Sequence, residues 1–249
     1  MKPELQLVIP MGGTGSRFAQ AGVKTPKPMI SVQGRPMIEQ VLENFNFSMV
    51  KKAILVTRNE VLSQEAEAQI LHSFPRLKIE IVRMDGVSKG PADTVRAASP
   101  WLDPDLPLLI ANSDQLIIPS ALPFMISCME TRANGRILTF EASDPKWSYV
   151  SLDELGFVKT VVEKQVISNI ATVGVYFFPK TSAFLEAILQ MEAAGDLTNG
   201  ELYVAPAFNY LNGVRVSTAS VRDLDLLFFG LGTPEDLNQF LSSGYRIGN

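Results

Sequence analysis

The stretch Leu5–Phe18, LQLVIPMGGTGSRF, carries most of the information about the fold. Its first part, Leu5–Pro10, is a short apolar run, and the loop behind it contains three glycines. An apolar run of this length that is bounded by glycine predicts a buried β-strand. Glycines behind a strand let the backbone approach a ligand closely, and successive N–H groups there can surround an anion. The stretch therefore predicts a strand of an α/β sheet followed by a phosphate-binding loop.

Two positively charged side chains accompany the glycines. Arg17 stands in the loop sequence itself, and Lys27 lies between two prolines, which stiffen the backbone on both sides of it. No Gly-Lys-Ser/Thr follows, so the loop is not a P-loop, and Phe18 stands where a Rossmann fingerprint needs its third glycine. A simple turn with two solvated cations is the alternative. Local positive charge in a chain of net charge −4 favours the phosphate site.

The rest of the chain first alternates between helix and strand patterns and then becomes rich in strands. Helices are predicted at Pro36–Phe47, Val61–Ser73, Pro91–Ser99, Ser120–Ala133, Ser182–Ala194, Glu201–Leu211 and Pro234–Ser242. Further strands are predicted at Ala53–Thr57, Lys78–Arg83, Pro107–Ala111, Arg136–Ala142, Tyr149–Asp153, Phe157–Glu163, Ala171–Pro179, Arg215–Val221 and Leu226–Leu231. The alternation is typical of a mostly parallel sheet, and the later strands indicate antiparallel additions. We expect one α/β domain over residues 1–249, with a Rossmann-like mixed, mostly parallel sheet and helices on both faces.

Composition and charge exclude several classes of function. The 249 residues include one cysteine and one histidine, which excludes an internal disulfide and a cysteine-built zinc site and weakens any histidine-based triad. The net charge of −4 argues against a nucleic-acid partner. No apolar run approaches the ~20 residues that cross a bilayer. The first residues also lack the basic region of a signal peptide. We expect a soluble cytoplasmic protein that does not contact membranes.

The segment Gly12–Phe18, followed by Lys27 and Pro28, resembles the signature of the sugar nucleotidyltransferases, or NDP-sugar pyrophosphorylases, which have a GT-A-like fold. The resemblance implies that the glycine loop wraps the phosphates of a nucleotide and that Arg17 and Lys27 are catalytic cations. The nucleotide-binding residues that it implies are Met11, Gly12, Gly13, Thr14, Gly15, Ser16 and, in a later turn, Gly90. We expect a nucleotide-binding part at about residues 1–120 and an acceptor-binding part at about 121–249.

Asp114 is the candidate metal ligand. It follows the predicted strand Pro107–Ala111, and an aspartate just past the carboxyl end of a parallel strand stands where α/β sheets hold ligands. A carboxylate there suits Mg²⁺ that is shared with substrate phosphates. The resemblance also implies magnesium at this position, although Ser113 replaces the glycine that usually precedes the aspartate. A turn-forming Asn-Ser-Asp without a metal is the alternative.

Further matches imply a site for a phosphorylated acceptor. The acceptor-binding residues are Glu163, Lys164, Gly174 and Glu201. For the first two, an ordinary ion pair on an edge strand is an equal alternative. The chain departs from the family at Gly230, where many members have a second magnesium-binding aspartate. Asp223 or Asp225 could replace it, but their spacing does not show this.

The sequence therefore predicts an enzyme that joins an NTP to a sugar 1-phosphate, or to a similar phosphorylated small molecule, and releases pyrophosphate. Two alternatives stay open. A GT-A-type glycosyltransferase would need an acidic pair behind a strand, whereas Asp103 and Asp105 precede one and are expected in a surface turn. A non-catalytic nucleotide-sugar-binding regulatory protein would fit the glycine at position 230. The sequence does not identify the base, the acceptor or the oligomeric state.

Overall fold

The apolar run at the start of the chain forms strand β1, Leu5–Pro10, as predicted. The computed structural model describes residues 5–131 and 134–247. The further strands are β2 Ser31–Val32, β3 Arg35–Pro36, β4 Val50–Arg58, β5 Ile79–Met84, β6 Leu108–Ala111, β7 Gln115–Ile118, β8 Gly135–Glu141, β9 Ser148–Leu152, β10 Val158–Glu163, β11 Ile170–Phe178, β12 Val216–Ser220 and β13 Leu227–Gly230. The α-helices are α1 Ser16–Gln20, α2 Met37–Glu43, α3 Gln64–Ser73, α4 Pro91–Arg96, α5 Leu122–Glu130, α6 Thr181–Ala193 and α7 Pro234–Ser242. Short 3₁₀ helices lie at Lys27–Met29, Ser99–Trp101 and Ala205–Tyr210.

Nine of these strands form one mixed sheet. Its path runs β10-β9-β11-β6-β1-β4-β5, and β8 pairs with β11 and β12. The strands β6, β1, β4 and β5 are parallel to one another, and β11 joins β6 in antiparallel orientation. This is the predicted combination of a parallel core with antiparallel additions. A separate two-stranded sheet joins β13 to β7 directly behind the carboxyl end of β6.

Helices cover both faces of the sheet, because successive side chains of a strand point to opposite sides. Leu7 and Ile9 of β1 belong to one buried cluster, which includes apolar side chains of α2, α3 and α5. Val8 belongs to a second cluster, which includes side chains of α4 and α6. The α/β fold class with helices on both faces is thereby confirmed. None of the helices in the described ranges has the length and apolar character needed to span a bilayer.

The predicted α-helix Glu201–Leu211 is wrong in type and in its start. The structure has only the 3₁₀ helix Ala205–Tyr210 there. Leu202 uses its backbone groups elsewhere, because its N–H donates to the carbonyl of Lys89 and its carbonyl accepts from Ala92. Backbone groups paired with another segment cannot close a helical turn. The predicted helix Ser120–Ala133 forms as α5, and its last two residues lie outside the described residues.

Candidate functional site

A cavity of about 370 Å³ opens at the carboxyl ends of β1 and β6. Parallel strands of an open α/β sheet present their ligands at this edge. Almost all of the predicted site residues line it, namely Met11, Gly12, Gly13, Thr14, Gly15, Arg17, Lys27, Gly90, Asp114, Glu163, Lys164 and Glu201. Ser16 and Gly174 do not line the cavity. The fold thus gathers segments from both halves of the chain around one volume.

The glycine loop is held by hydrogen bonds to Val56 and Arg58, which do not line the cavity. The N–H of Met11 donates to the carbonyl of Val56 at 2.7 Å, and Arg58 Nε donates to the carbonyl of Gly12 at 2.8 Å. Gly15 has a φ of +62°, and a side chain there would meet Lys27 Cβ at 3.3 Å. The glycine therefore allows a left-handed turn that passes close to the lysine. Ser16 follows as the exposed first residue of α1.

Lys27 and Asp114 form an ion pair inside the cavity. Lys27 Nζ lies 2.5 Å from Asp114 Oδ2, and about a fifth of each side chain is exposed, 22% and 21%. Lys27 begins a 3₁₀ helix between two prolines, which restrict the backbone from which its side chain extends. The N–H of Leu231 donates to the carbonyl of Asp114 at 2.7 Å and fixes the backbone on the other side. The predicted catalytic cation and the predicted metal ligand are therefore direct neighbours.

Gly174 supports this part of the site from behind. Its φ is +92°, and a Cβ there would lie 2.6 Å from Gln115 Oε1. Its carbonyl accepts from the N–H of Asn112 at 2.9 Å and from Gln115 Nε2 at 2.8 Å. These bonds hold both ends of the loop that carries Asp114. The glycine implied as an acceptor contact thus contacts the loop of the candidate metal ligand Asp114 and does not line the cavity.

Lys164 and Glu201, two of the predicted acceptor-binding residues, are joined through Tyr203, which no sequence pattern singled out. Lys164 donates to the Tyr203 hydroxyl, and its ammonium lies 4.5 Å from the centre of that ring. The same hydroxyl donates to Glu201 Oε2 at 2.6 Å. Burial and the neighbouring Glu201 raise the pKa of Tyr203, and the positive charge of Arg17 opposes this. The only sequence signal for this residue is its position two places behind Glu201.

Glu163 ends β10, an edge strand of the large sheet, and has a partner other than Lys164. The Ser148 hydroxyl donates to the Glu163 carboxylate. Burial raises the pKa of Glu163, and the Ser148 hydrogen bond and the Lys164 charge act in the opposite direction. Among the residues of the described ranges, Glu163 and Lys164 form no salt bridge with each other. The simple edge-strand ion pair is therefore not what the structure contains.

Gly90 is a glycine because another segment crosses directly over it. Its φ is +124°, and a Cβ there would lie 2.6 Å from the carbonyl oxygen and 2.7 Å from the backbone nitrogen of Leu202. The crossing segment is the one that the bonds to Lys89 and Ala92 keep out of a helix. It carries Glu201 to the cavity. The turn implied for the nucleotide thereby positions a predicted acceptor-binding residue as well.

The absence of an acid at Gly230 has a structural cause. A Cβ at Gly230 would lie 2.7 Å from Cη2 of Trp147, which leaves no room for an aspartate side chain. Asp223 and Asp225 are exposed and do not line the cavity. Asp236 does line it, in the first turn of α7. Within residues 5–131 and 134–247 no group of three or more histidine, cysteine, aspartate or glutamate side chains could hold a metal ion.

The acidic pair Asp103 and Asp105 lies at the other end of β6. Asp103 accepts from Gln6 through its carbonyl, at 2.9 Å, and Asp105 forms an ion pair with Lys180. Both residues are exposed. They precede β6, whereas the cavity opens behind it, so this pair lies away from the site as predicted.

Comparison with known proteins identifies the family. The model of the Nucleotidyl transferase family matches residues 6–202. The chain belongs to this family. The resemblance found in the glycine loop is thereby confirmed over most of the sequence. This family member is 24% identical over 240 residues to the mannose-1-phosphate guanylyltransferase catalytic subunit beta of Drosophila melanogaster, with 86% of this chain and 63% of that protein covered. It is 26% identical over 228 residues to the bifunctional protein GlmU of Thermotoga maritima, with 90% and 47% covered.

Solved structures show the same fold over nearly the whole length. A nucleoside-diphosphate-sugar pyrophosphorylase from Vibrio cholerae matches with a TM-score of 0.77 and 23% identity, and covers 95% of this chain and 99% of its own. A putative glucose-1-phosphate thymidylyltransferase from Bacillus anthracis matches with a TM-score of 0.79 and 17% identity, and 98% of both chains is covered. The two curated relatives are longer than this nucleotidyl transferase chain, which spans about half to two thirds of their length.

Proposed function

We propose that this protein joins an NTP to a sugar 1-phosphate, or to a similar phosphorylated small molecule, and releases pyrophosphate. One observation carries the proposal. A single cavity places a glycine loop and the Lys27–Asp114 pair beside the linked side chains Lys164, Tyr203 and Glu201. The first group suits a triphosphate and the second a phosphorylated polyol. The expected division at about residue 120 fits this arrangement and is part of the proposal.

The reaction needs little from the protein beyond positioning and charge. A phosphate oxygen of the acceptor attacks the α-phosphorus, and the bond from that phosphorus to the bridging oxygen of the β-phosphate breaks. The attacking oxygen is already anionic, so no general base is required. Arg17 and Lys27 stabilise the negative charge that develops on the phosphates and on the departing pyrophosphate. The Lys164 ammonium orients the acceptor phosphate, and the Glu201 carboxylate orients the hydroxyl groups of the acceptor. Tyr203 joins these two side chains.

Asp114 fits a magnesium ion. Mg²⁺ in phosphate-transfer sites is usually held by one or two carboxylates together with substrate phosphates and water. Asp114 offers one such carboxylate, partly exposed to the cavity and in contact with Lys27. When bound there, the ion would neutralise phosphate charge. The residue that would hold it is Asp114, with substrate oxygens as its other partners.

The names of similar proteins support a phosphorylated acceptor. The Drosophila relative is named for mannose 1-phosphate, and two structural neighbours are named for glucose 1-phosphate and inositol 1-phosphate. These names differ in base and in acceptor, so neither is proposed for this chain. The cytoplasmic location that the sequence predicts stays a prediction.

A regulatory protein that binds a finished nucleotide sugar is the second candidate. Gly230 favours it, because Trp147 closes the position at which the family resemblance implies a second metal-binding aspartate. A glycosyltransferase has less support, because the acidic pair Asp103 and Asp105 precedes β6, whereas the cavity opens behind this strand.

Ligand-induced stabilisation separates these candidates. The melting temperature is measured with each NTP and with UDP-, GDP- and CDP-sugars, with and without Mg²⁺. A ligand present at ~100 times its Kd adds about 2.7 kcal/mol to the free energy of unfolding. We expect one NTP to stabilise the protein, with a larger effect when Mg²⁺ is present. Stabilisation by a nucleotide sugar and by none of the NTPs would refute the proposed reaction and favour the regulatory protein.

A further inference from the structure

A second lysine–aspartate pair lines the cavity, and no role follows for it from the family resemblance. Lys146 Nζ lies 2.7 Å from Asp236 Oδ1. Both residues line the cavity, and 30% of the lysine side chain and 13% of the aspartate side chain are exposed. The next carboxylate, that of Asp144, is 3.9 Å from the ammonium. Among the residues that the structure describes, the ammonium thus has one close carboxylate partner, which leaves N–H groups for a ligand.

This pair lies beside the first one. Gly232 stands between them, since a Cβ on this glycine would lie 3.1 Å from Asp114 Oδ2 and 3.9 Å from Asp236 Oδ2. Lys27 compensates Asp114, and Lys146 compensates Asp236. A phosphate group bound at Lys27 therefore has a second lysine, Lys146, on the neighbouring part of the cavity wall.

Aromatic packing fixes the position of Lys146. Its ammonium lies 5.0 Å from the centre of the Trp147 ring. Trp147 packs edge-on against Phe140 and Phe228, with ring centres 5.2 and 5.8 Å away. The edge of the Trp147 ring lies so close to Gly230 that this position has room for a hydrogen but not for a side chain. A side chain held by a carboxylate and a fixed ring loses little further freedom when it binds an anion.

The backbone joins this wall to the acceptor side. The N–H of Lys164 donates to the carbonyl of Trp147 at 3.0 Å. The segment that carries Lys146 therefore keeps a fixed relation to Lys164 and through it to Tyr203. Two lysines from neighbouring loops, Lys146 and Lys164, therefore line the same cavity.

We propose that Lys146 is a further phosphate-binding cation, which contacts the phosphate of the acceptor together with Lys164, and that Asp236 is its positioning residue. This inference rests on the proposed function and names a further acceptor-binding residue for it. Position 230 is a glycine because Trp147, which supports this lysine, occupies the space. Lys146 thus supplies positive charge on the side of the cavity where Gly230 lies.

The kinetic test compares Lys146→Met with Lys146→Arg and with Lys180→Met. Lys180 pairs with Asp105 at 3.1 Å at the far end of β6, so its loss removes a lysine–aspartate pair without touching the cavity. Loss of a hydrogen bond to a charged group predicts that the acceptor KM rises by about 10- to 100-fold in Lys146→Met. The KM for the NTP should stay unchanged. Lys146→Arg should keep the acceptor KM within about threefold, and Lys180→Met should behave as wild type. An acceptor KM within twofold of wild type in Lys146→Met, or a rise confined to the NTP, would overturn the inference.

A binding test works without turnover and keeps the two proposals apart. Inorganic phosphate is titrated calorimetrically into the wild-type protein, Lys146→Met and Asp236→Asn, each checked for folding by circular dichroism. We expect weaker phosphate binding in Lys146→Met, and an intermediate loss in Asp236→Asn, in which the lysine keeps its charge but loses its fixed position. Equal phosphate affinity in the wild-type protein and in Lys146→Met would overturn the role of Lys146. Absence of pyrophosphate release from the wild-type protein with every substrate pair would instead refute the proposed function.

Discussion

Replacing Lys27 by methionine should separate catalysis from stability. The change removes the ammonium that lies 2.5 Å from Asp114 and keeps the length of the side chain. If Lys27 stabilises charge on the reacting phosphates, kcat should fall by roughly 10²–10³, by analogy with the loss of one oxyanion-hole donor. The pair is about one-fifth exposed, 22% and 21%, and so lies between a surface pair and a buried one. We therefore expect a loss of only about 1–2 kcal/mol in the free energy of unfolding.

The same variant should bind divalent cations more tightly in the absence of nucleotide. In the wild-type protein the ammonium occupies Oδ2 of Asp114, so an arriving cation must displace it. In Lys27→Met the carboxylate is left without that competitor. Titration with Mn²⁺, followed by electron paramagnetic resonance, measures this directly. Asp114→Asn, which lacks the carboxylate, is the matched control and should not bind Mn²⁺ more tightly than the wild-type protein.

The assays for Lys27→Met are pyrophosphate release under saturating substrates and unfolding in urea. Lys180→Met serves as the control for loss of a lysine that pairs with an aspartate outside the cavity. A Lys27→Met protein that keeps its kcat within threefold would refute the reasoning. So would a loss of kcat that is matched by unfolding of the protein under the assay conditions.

Three further predictions concern packing and pH. Gly90→Ala should lower the free energy of unfolding by about 3 kcal/mol or more, because its φ is +124° and the new Cβ would meet the Leu202 backbone at 2.6 Å; a loss below 0.5 kcal/mol in urea would contradict this. Gly230→Ala should cost about 1–3 kcal/mol by pressing on Trp147, and most of this cost should vanish in a Trp147→Ala background; equal costs in both backgrounds would show that the contact is unimportant. Glu163→Gln should gain stability relative to wild type as pH rises above the ordinary glutamate value of ~4.3, because burial raises the pKa of Glu163 and the folded wild type loses stability as that carboxyl ionises. Urea unfolding from pH 4 to pH 7 measures it, and a relative stability that stays flat or falls with pH would speak against the raised pKa.

The parts of this protein that could be predicted from sequence are those decided by local patterns. The strand Leu5–Pro10 and its glycine loop are legible because an apolar run, a turn and two nearby cations follow one another directly. Strand and helix alternation then fixes the edge of the sheet at which Asp114 lies. The helix predicted at Glu201–Leu211 fails because Leu202 pairs with Lys89 and Ala92, which are more than a hundred residues away. No local pattern contains that pairing.

The surroundings of several site residues could not be predicted for the same reason. Lys146 and Asp236 are 90 positions apart and meet only because the folded chain brings the loop before β9 to the start of α7. Gly230 comes next to the cavity because β13 pairs with β7, which places it opposite Gln115. Its small size is required by Trp147, a contact that only the tertiary structure reveals. Tyr203 likewise gains its role from Lys164, which lies on another loop.

The transfer of a labelled phosphate group tests the central claim most directly. The NTP that stabilises the protein is supplied with its label either on the α- or on the γ-phosphorus, together with a panel of sugar 1-phosphates and Mg²⁺. We predict that the α-label enters a nucleotide sugar and that the γ-label leaves in pyrophosphate in equal amount. Transfer of the γ-label to the acceptor, or retention of both labels in the NTP with every acceptor, would contradict the proposed nucleotidyl transfer.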